Sequence, residues 1–199
     1  MPRLARDRRG AAVVEFAMVS PVIFLLLVGF LDVVYIGRGH MRVQSTASQV
    51  GQIISQCTTI GGTDQAQIDA FAQSALSPYS TNRLNWAVVV TGLQVDASNN
   101  PSVKWTMDTR NAAQKASPDF ATAATALPTG LRLSTDEMVF RTEVFANIDS
   151  TFFSSANGLL AGRLGERATM SRARSSMIHV SRSPSAAKLT NINSTEPCL

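Results

Sequence analysis

The sequence predicts an α+β chain: a long N-terminal transmembrane helix, a short second helix and an antiparallel sheet of about four strands. Three observations lead there. Residues 11–36 are apolar with almost no charge, helical spacing continues beyond them to Cys57, and after Pro78 the hydrophobic period changes from helical to alternating. The 199 residues, 45% hydrophobic and 16% charged, are enough for one modest domain plus one additional element. This is not a disordered composition.

The chain opens with a basic leader, residues 1–10, holding Arg3, Arg6, Arg8 and Arg9 against the single acid Asp7. Ala11 to Ile36 follows with only Glu15 and Asp32 charged. As a helix it would reach ~39 Å, sufficient to cross a ~30 Å hydrocarbon core with some tilt. Pro21 removes one backbone donor and is compatible with such a helix as a bend, with Ser20 beside it to satisfy the freed carbonyl. The basic cluster before the span outweighs Arg38, His40 and Arg42 after it, which places the N-terminus in the cytoplasm and the remainder in the periplasm. A secretory signal peptide would share the basic start, and Ser45, Thr46 and Ala47 supply small residues for cleavage. The apolar run is too long for that and the small residues lie well beyond it, so a retained single span in the inner membrane is favoured.

Residues 37–57 form the amphipathic extension of the same helix. Met41, Val43, Ala47, Val50, Ile53 and Ile54 tend to one side, while Arg42, Gln44, Gln49 and Gln52 lie elsewhere. Gly37 and Gly39 are expected to loosen the helix near the membrane surface, and Gly61 and Gly62 to end it. Asp64 with Gln67 has the pattern of a capping box and opens a short helix with Ile68, Phe71, Ala72, Ala75 and Leu76 on its apolar side, stopped by Pro78.

Leu84 to Val95 is β-branched and aromatic, and Val103, Trp105 and Met107 alternate with Lys104, Thr106 and Asp108. The turn residues Ser98, Asn99, Asn100 and Pro101 join the two runs as a hairpin. Residues 111–135, rich in Ala, Thr, Ser and Pro, are expected as a surface loop with a helical turn near Phe120. A third strand places Met138, Phe140, Val144, Ala146 and Ile148 on one face, and Glu137, Arg141, Glu143 and Asp149 on the other. Residues 150–165 read as a loop anchored by Phe152, Phe153, Leu159 and Leu160. Arg167 to Val180 reads as a fourth strand at a sheet edge, where Arg172 and Arg174, sharing parity with Met170, Ile178 and Val180, discourage unwanted pairing. The domain therefore spans 37–180, and 181–199 is a polar tail.

Cys57 and Cys198 are the only cysteines. Neither lies in a metal-ligand spacing, and both fall on the presumed outer side, so a disulfide between them is expected rather than two unpaired thiols. Such a bridge closes a very long loop, worth up to ~5 kcal/mol on the chain-entropy account.

The functional classes narrow by what is missing from the pattern. The net charge of +4 comes from scattered residues, without zinc-finger spacing or a basic patch interleaved with aromatics, so no nucleic acid is expected as a partner. No nucleophile elbow, phosphate-binding loop, zinc-protease motif or dinucleotide glycine string is present, and no cofactor is expected. His40 reads as an interfacial residue and His179 as a structural or exposed one. An enzyme on a membrane tether would need convergent titratable groups that the pattern does not show.

Glu15 is the residue that stands out. A carboxylate at mid-depth costs ~2.5 to 3.5 kcal/mol on insertion scales and less near an edge, so a partner is expected for it. Alternatively, a first-turn acid complements the helix dipole and snorkels to the headgroups unaided.

Gly10, Ala11, Ala12, Val13, Val14, Glu15 and Phe16, a glycine with an acid five positions on and an aromatic after it, resemble the processing site of type IV prepilins. More narrowly, "RRGAAVVEFAMVSPVIFLLLVGFLDV" resembles the N-terminal signature of the TadE-like pseudopilins, minor pilins of tight-adherence (Tad, Flp-type) pilus systems. The resemblance covers about residues 8–45. It implies a pilin-like α+β periplasmic domain, a prepilin peptidase that cuts between Gly10 and Ala11, and Glu15 and Phe16 as assembly and docking residues. Glu15 would pair with the α-amine of a neighbouring subunit. The implied partners are that peptidase, other pilin or pseudopilin subunits, Tad assembly proteins and the lipid bilayer. The implied role is pilus or secretion-apparatus assembly without catalysis. The alternative is an uncleaved, single-pass periplasmic scaffold or binding protein.

Overall fold

A computed structural model describes residues 8–57, 60, 62–80, 82–95, 100–123, 137–149 and 170–180. The predicted class is the observed one: a long helix, a short helix and a four-stranded antiparallel sheet.

Helix α1 (Arg8–Gln56) runs without interruption for 49 residues, through Pro21. In its second half Val43, Ala47, Val50 and Ile54 recur every three or four residues and are buried, while Gln44, Gln49 and Gln52 are exposed. Met41, 70% exposed, leaves the predicted stripe. It lies two residues from Val43, about 200° around the helix, so it cannot share that face. Helix α2 (Gly62–Leu76) begins two residues before Asp64, which sits buried in the first turn and is not the cap. Ile68, Ala72 and Leu76 pack with the buried stripe of α1. A cis Ser77-Pro78 bond follows the last turn.

The sheet has the order β2-β1-β3-β4, antiparallel throughout. Strands β1 (Trp86–Val95) and β2 (Pro101–Asp108) form the predicted hairpin, whose register shifts beside Gly92 so that Lys104 has no partner residue. This bulge lies on an edge strand, where it hinders pairing with another chain. Strands β3 (Met138–Asp149) and β4 (Met170–Val180) complete the sheet, with β4 at the opposite edge as predicted. The main core joins the two helices to one sheet face, including Trp86, Val88 and Val90 of β1, Phe140, Val144 and Ile148 of β3 and Ala173 of β4. Each fully buried valine, isoleucine or phenylalanine among these contributes roughly 1.5 to 3 kcal/mol of transfer free energy.

Strand β1 is buried on both faces, which its run Val88, Val89, Val90 foreshadows. The second face is covered by part of the expected surface loop. Helix α3 (Ala112–Ala116) opens with a capping box between Asn111 and Gln114, and a 3₁₀ turn (Pro118–Phe120) delivers Phe120 onto Ala87, Val89 and Phe145. Gln114 Nε2 reaches the carbonyls of Leu84 and Trp86, each at 3.0 Å, tying α3 to the start of β1. The described part of the loop, residues 111–123, is therefore a second layer. Apolar patterning alone missed it because its anchors are one amide and one phenylalanine. The expected loop at 150–165 lies outside the described residues.

Strand β4 explains why its apolar pattern read poorly. Its pairing, Phe140 with His179, Val144 with Ser175 and Ala146 with Ala173, turns small and polar residues toward α1, with Met177 the one large apolar side chain among them, while Ile178 and Val180 share the other face with Arg172 and Arg174. Small side chains let the helix come close. Where α1 crosses β3 and β4 it presents Gly51, where a Cβ would overlap the His179 ring and stand 3.1 Å from Thr142 Oγ1. It also presents Gly39, where a Cβ would press on Ile148. Gly39 is thus a packing notch and not the expected loosening point, whereas Gly37 has open space around it.

Gly51→Val should cost about 1 to 3 kcal/mol by overpacking this crossing. Gly37→Ala should cost nothing and stabilise by up to about 1 kcal/mol through helix propensity. Chemical unfolding of the detergent-solubilised chain checks the pair, and equal effects of the two substitutions would refute the close-approach account.

Candidate functional site

The stretch of α1 up to Leu27 is the candidate site because nothing among the described residues buries it. Gly10 and Ala11 lie in the first turns of the helix, with Gly10 exposed and open space where a side chain would stand. Glu15 is exposed and Phe16 is 71% exposed. From Val13 to Leu27 no residue is buried, large apolar side chains such as Val19, Ile23, Phe24 and Leu26 included. Such a face is stable only in lipid or against other helices. The helix is long and apolar enough to cross a membrane, with mean hydropathy 2.4 over its most apolar window.

Cover begins at Val28, which is 4% exposed, and continues at Asp32, also 4% exposed, one turn further on. Tyr35 and Ile36 then pack on the main core, Tyr35 with its ring 4.8 Å from that of Tyr79. Ala12 to Leu27 measures about 24 Å as a helix, against the ~39 Å expected for the whole apolar run. The folded domain therefore reaches back onto the last third of that run. Asp32, expected as an ordinary interfacial acid, is instead enclosed by protein. Glu15 and Asp32, which look alike in sequence, thus have opposite environments.

Other polar groups cluster within the sheet domain. Glu143, expected on the solvent face, is fully buried and accepts a hydrogen bond of 2.6 Å from Arg174 Nη2 and longer ones from the Ala123 backbone amide. Arg141 stands 3.8 Å away. Asp108 accepts from Arg110 at 2.8 Å and lies 3.5 Å from Lys115. Burial acts to raise the Asp108 pKa, but the hydrogen bonds and charge of Arg110, with Lys115, prevail and hold it below the usual carboxylate range. The hydrogen bond from Arg110 to Asp108 in turn raises the guanidinium pKa. Arg110 also donates to the Phe120 carbonyl at 2.8 Å, so this pair fastens the 3₁₀ turn to the end of β2.

Each of these clusters pairs a carboxylate with arginines that tie chain segments together, which is an anchoring arrangement. No group of three potential metal ligands occurs among the described residues. His40 is exposed on α1, and His179, in β4, turns toward Gly51 with a buried Nδ1 that has no hydrogen-bond partner among the described residues. Cys57 is buried just past the end of α1 and is disulfide-bonded, while Cys198 lies outside the described residues.

With the exposed glycine, carboxylate and phenylalanine at the head of a bare apolar helix, the comparison with known families is decisive for this segment. Residues 10–51 match the family described as TadE-like protein. Over that span the chain is similar to TadE-like proteins. No curated protein and no solved structure matches the chain. The TadE-like segment starts at Gly10 and runs to the Gly51 crossing, so it takes in the bare half of α1 and most of the half packed on the sheet. The match associates this segment with Tad pilus systems.

Sequence reasoning singled out Gly10, Ala11, Glu15 and Phe16, of which Gly10, Glu15 and Phe16 are exposed. It missed the enclosure of Asp32 and Val28, because a lone acid among apolar residues carries no signal of what will pack on it.

His179 gives the domain a pH response with a definite sign. Desolvation lowers its pKa from the ordinary 6.5. Below pH 6.5 the unfolded chain takes up this proton while the fold resists it, so stability falls as pH drops toward the folded-state pKa. The Asp108 contribution, from a depressed carboxylate, is lost only in a separate acidic window below its ordinary 3.8. Thermal unfolding between pH 7 and 5, roughly the histidine range, should show a slope in the wild type that His179→Asn flattens; identical slopes would refute the assignment.

Proposed function

We propose that this TadE-like protein is a minor pilin or pseudopilin. It is held by α1 in the inner membrane with its N-terminus in the cytoplasm and residues 37–180 in the periplasm, and it acts in assembly of a Tad pilus or its secretion apparatus. The observation that carries the reading is the conjunction at the head of α1: Gly10, Glu15 and Phe16 stand exposed in the TadE-like segment, on a helix whose first half has no cover among the described residues.

Each residue then has a task. A prepilin peptidase hydrolyses the Gly10–Ala11 amide, removing the basic leader of residues 1–10. Glycine is about 1 kcal/mol poorer than alanine in a helix, so the first turn unwinds into a protease cleft at small cost. The new α-amine at Ala11 lies one helical turn from Glu15, on the same side. In lipid the carboxylate and an α-amine on an adjacent subunit attract strongly, and only the matching axial register brings them together. Phe16 and the bare apolar face supply the packing between helices. The disulfide of Cys57 is assigned to Cys198, which would fasten the polar tail to the end of α1.

Intact mass of the membrane-extracted chain, with and without a co-expressed prepilin peptidase, tests the reading. The expected mass begins at Ala11 only with the peptidase, and lies two hydrogens below that of the reduced chain. A chain that keeps residues 1–10 in its native host would instead establish an uncleaved periplasmic scaffold. Glu15→Ala should be inserted and cut normally yet reduce piliation by about tenfold or more, the loss of one well-placed charge pair in a poorly solvated setting. Normal piliation would leave Glu15 with only its helix-dipole role.

A further inference from the structure

Just beyond the apolar run, α1 and the turn after α2 enclose an open cleft of about 480 Å³, lined by Arg38, Met41, Arg42, Ser45 and Tyr79. The α1 residues stand at i, i+3, i+4 and i+7, one face of the helix. Arg38, Met41, Arg42 and Ser45 are all exposed, with Met41 at 70%. Among the described residues neither guanidinium has a carboxylate partner and no acid lines the cleft. Two adjacent unneutralised arginines in a concavity are unusual for a surface that serves only to stay soluble.

The height of the cleft decides its ligand. If the hydrocarbon begins near Ala12, a core of ~30 Å ends about 20 residues later, near Leu31, and Arg38 lies roughly 10 Å further along the helix axis. Side chains on a helix tilt toward its N-terminus, which here is toward the bilayer, so the Arg38 guanidinium reaches back to the headgroup layer and Arg42 stands one turn above it, facing the outer side of the phosphate. Arginine binds phosphate oxygens through a planar two-pronged donor set. Tyr79, beside Tyr35, sits where aromatic rings favour the interface, and Met41 supplies the apolar wall of the cleft between the two arginines.

We propose that this cleft binds the phosphate of an anionic phospholipid in the leaflet facing the folded domain. The inference rests on α1 spanning the membrane as proposed above. It gives Arg38 and Arg42, which weaken the charge bias that orients the helix, a role on the side where they lie.

The test uses the full-length chain in phosphatidylcholine nanodiscs containing a minor share of phosphatidylglycerol, with native mass spectrometry counting the lipids retained on release. The wild type should retain phosphatidylglycerol in preference to phosphatidylcholine. Arg38→Gln/Arg42→Gln should retain about tenfold less, with unchanged thermal unfolding because both residues are exposed. Lys104→Gln, the loss of one positive charge on the distant β2 edge, should behave as the wild type. Equal retention by the double variant and the wild type, or an equal loss in Lys104→Gln, would overturn the proposal. Displacement of the lipid by inorganic phosphate would do so too, showing that the cleft takes free phosphate. A chain that failed to enter nanodiscs at all would instead overturn the spanning helix, and this inference with it.

Discussion

A single unbroken helix has to satisfy two solvents, and the rest of the structure is arranged around that constraint. From Val13 to Leu27 α1 is apolar on every side and has no cover among the described residues; from Val43 to Ile54 only one stripe is apolar, and that stripe is buried against the sheet. Between these regimes lies a transition of about three turns, Val28 to Gly39, where protein encloses one side while Phe30, Leu31 and Val33 stay exposed on the other. A helix that changed solvent abruptly would leave either apolar surface in water or polar backbone in lipid. The gradual handover avoids both.

The close crossing of helix and sheet follows from the same constraint. A helix fixed in a bilayer cannot rotate freely to optimise its packing, so the sheet must adapt to it. It does so with small and polar residues on β4, Ala173, Ser175 and His179, and with the glycine notches at Gly39 and Gly51. Polar atoms are the cost: Thr142 Oγ1 and His179 Nδ1 are buried there without hydrogen-bond partners among the described residues. On the opposite face, where no membrane helix dictates the fit, the sheet is closed by ordinary devices. These are a capping box, one phenylalanine and two arginine-carboxylate clusters.

What was legible in the sequence divides along the same line. Periodicity identified α1, α2, the hairpin, β3 and β4, because each buries a stripe or a face whose spacing survives in one dimension. It misjudged elements whose burial depends on a neighbour. Glu143 reads as a solvent-facing acid unless the cover from residues 111–123 and the arginines of β3 and β4 are known to meet above it. Gly39 reads as a weak point unless Ile148 is known to lie opposite. The head of the helix was legible for a different reason: Gly10, Glu15 and Phe16 form a local pattern in which order along the chain is itself the signal.

The two acids of the apolar run show how far burial can separate residues that composition treats alike. Asp32 is enclosed by its own fold, so its charge is a matter internal to the chain. Glu15 is exposed on a bare stretch of helix, five residues into the TadE-like segment, with no cationic partner among the described residues. A carboxylate at that position has two ways to lower its free energy: to reach the headgroups at the near edge of the bilayer, or to meet a cation brought by another molecule. The first is available to a lone helix and asks for nothing around it. The second makes the lone helix the less stable state and the assembled one the more stable, so an acid left bare by its own fold supplies a driving force for association that an enclosed one, such as Asp32, cannot.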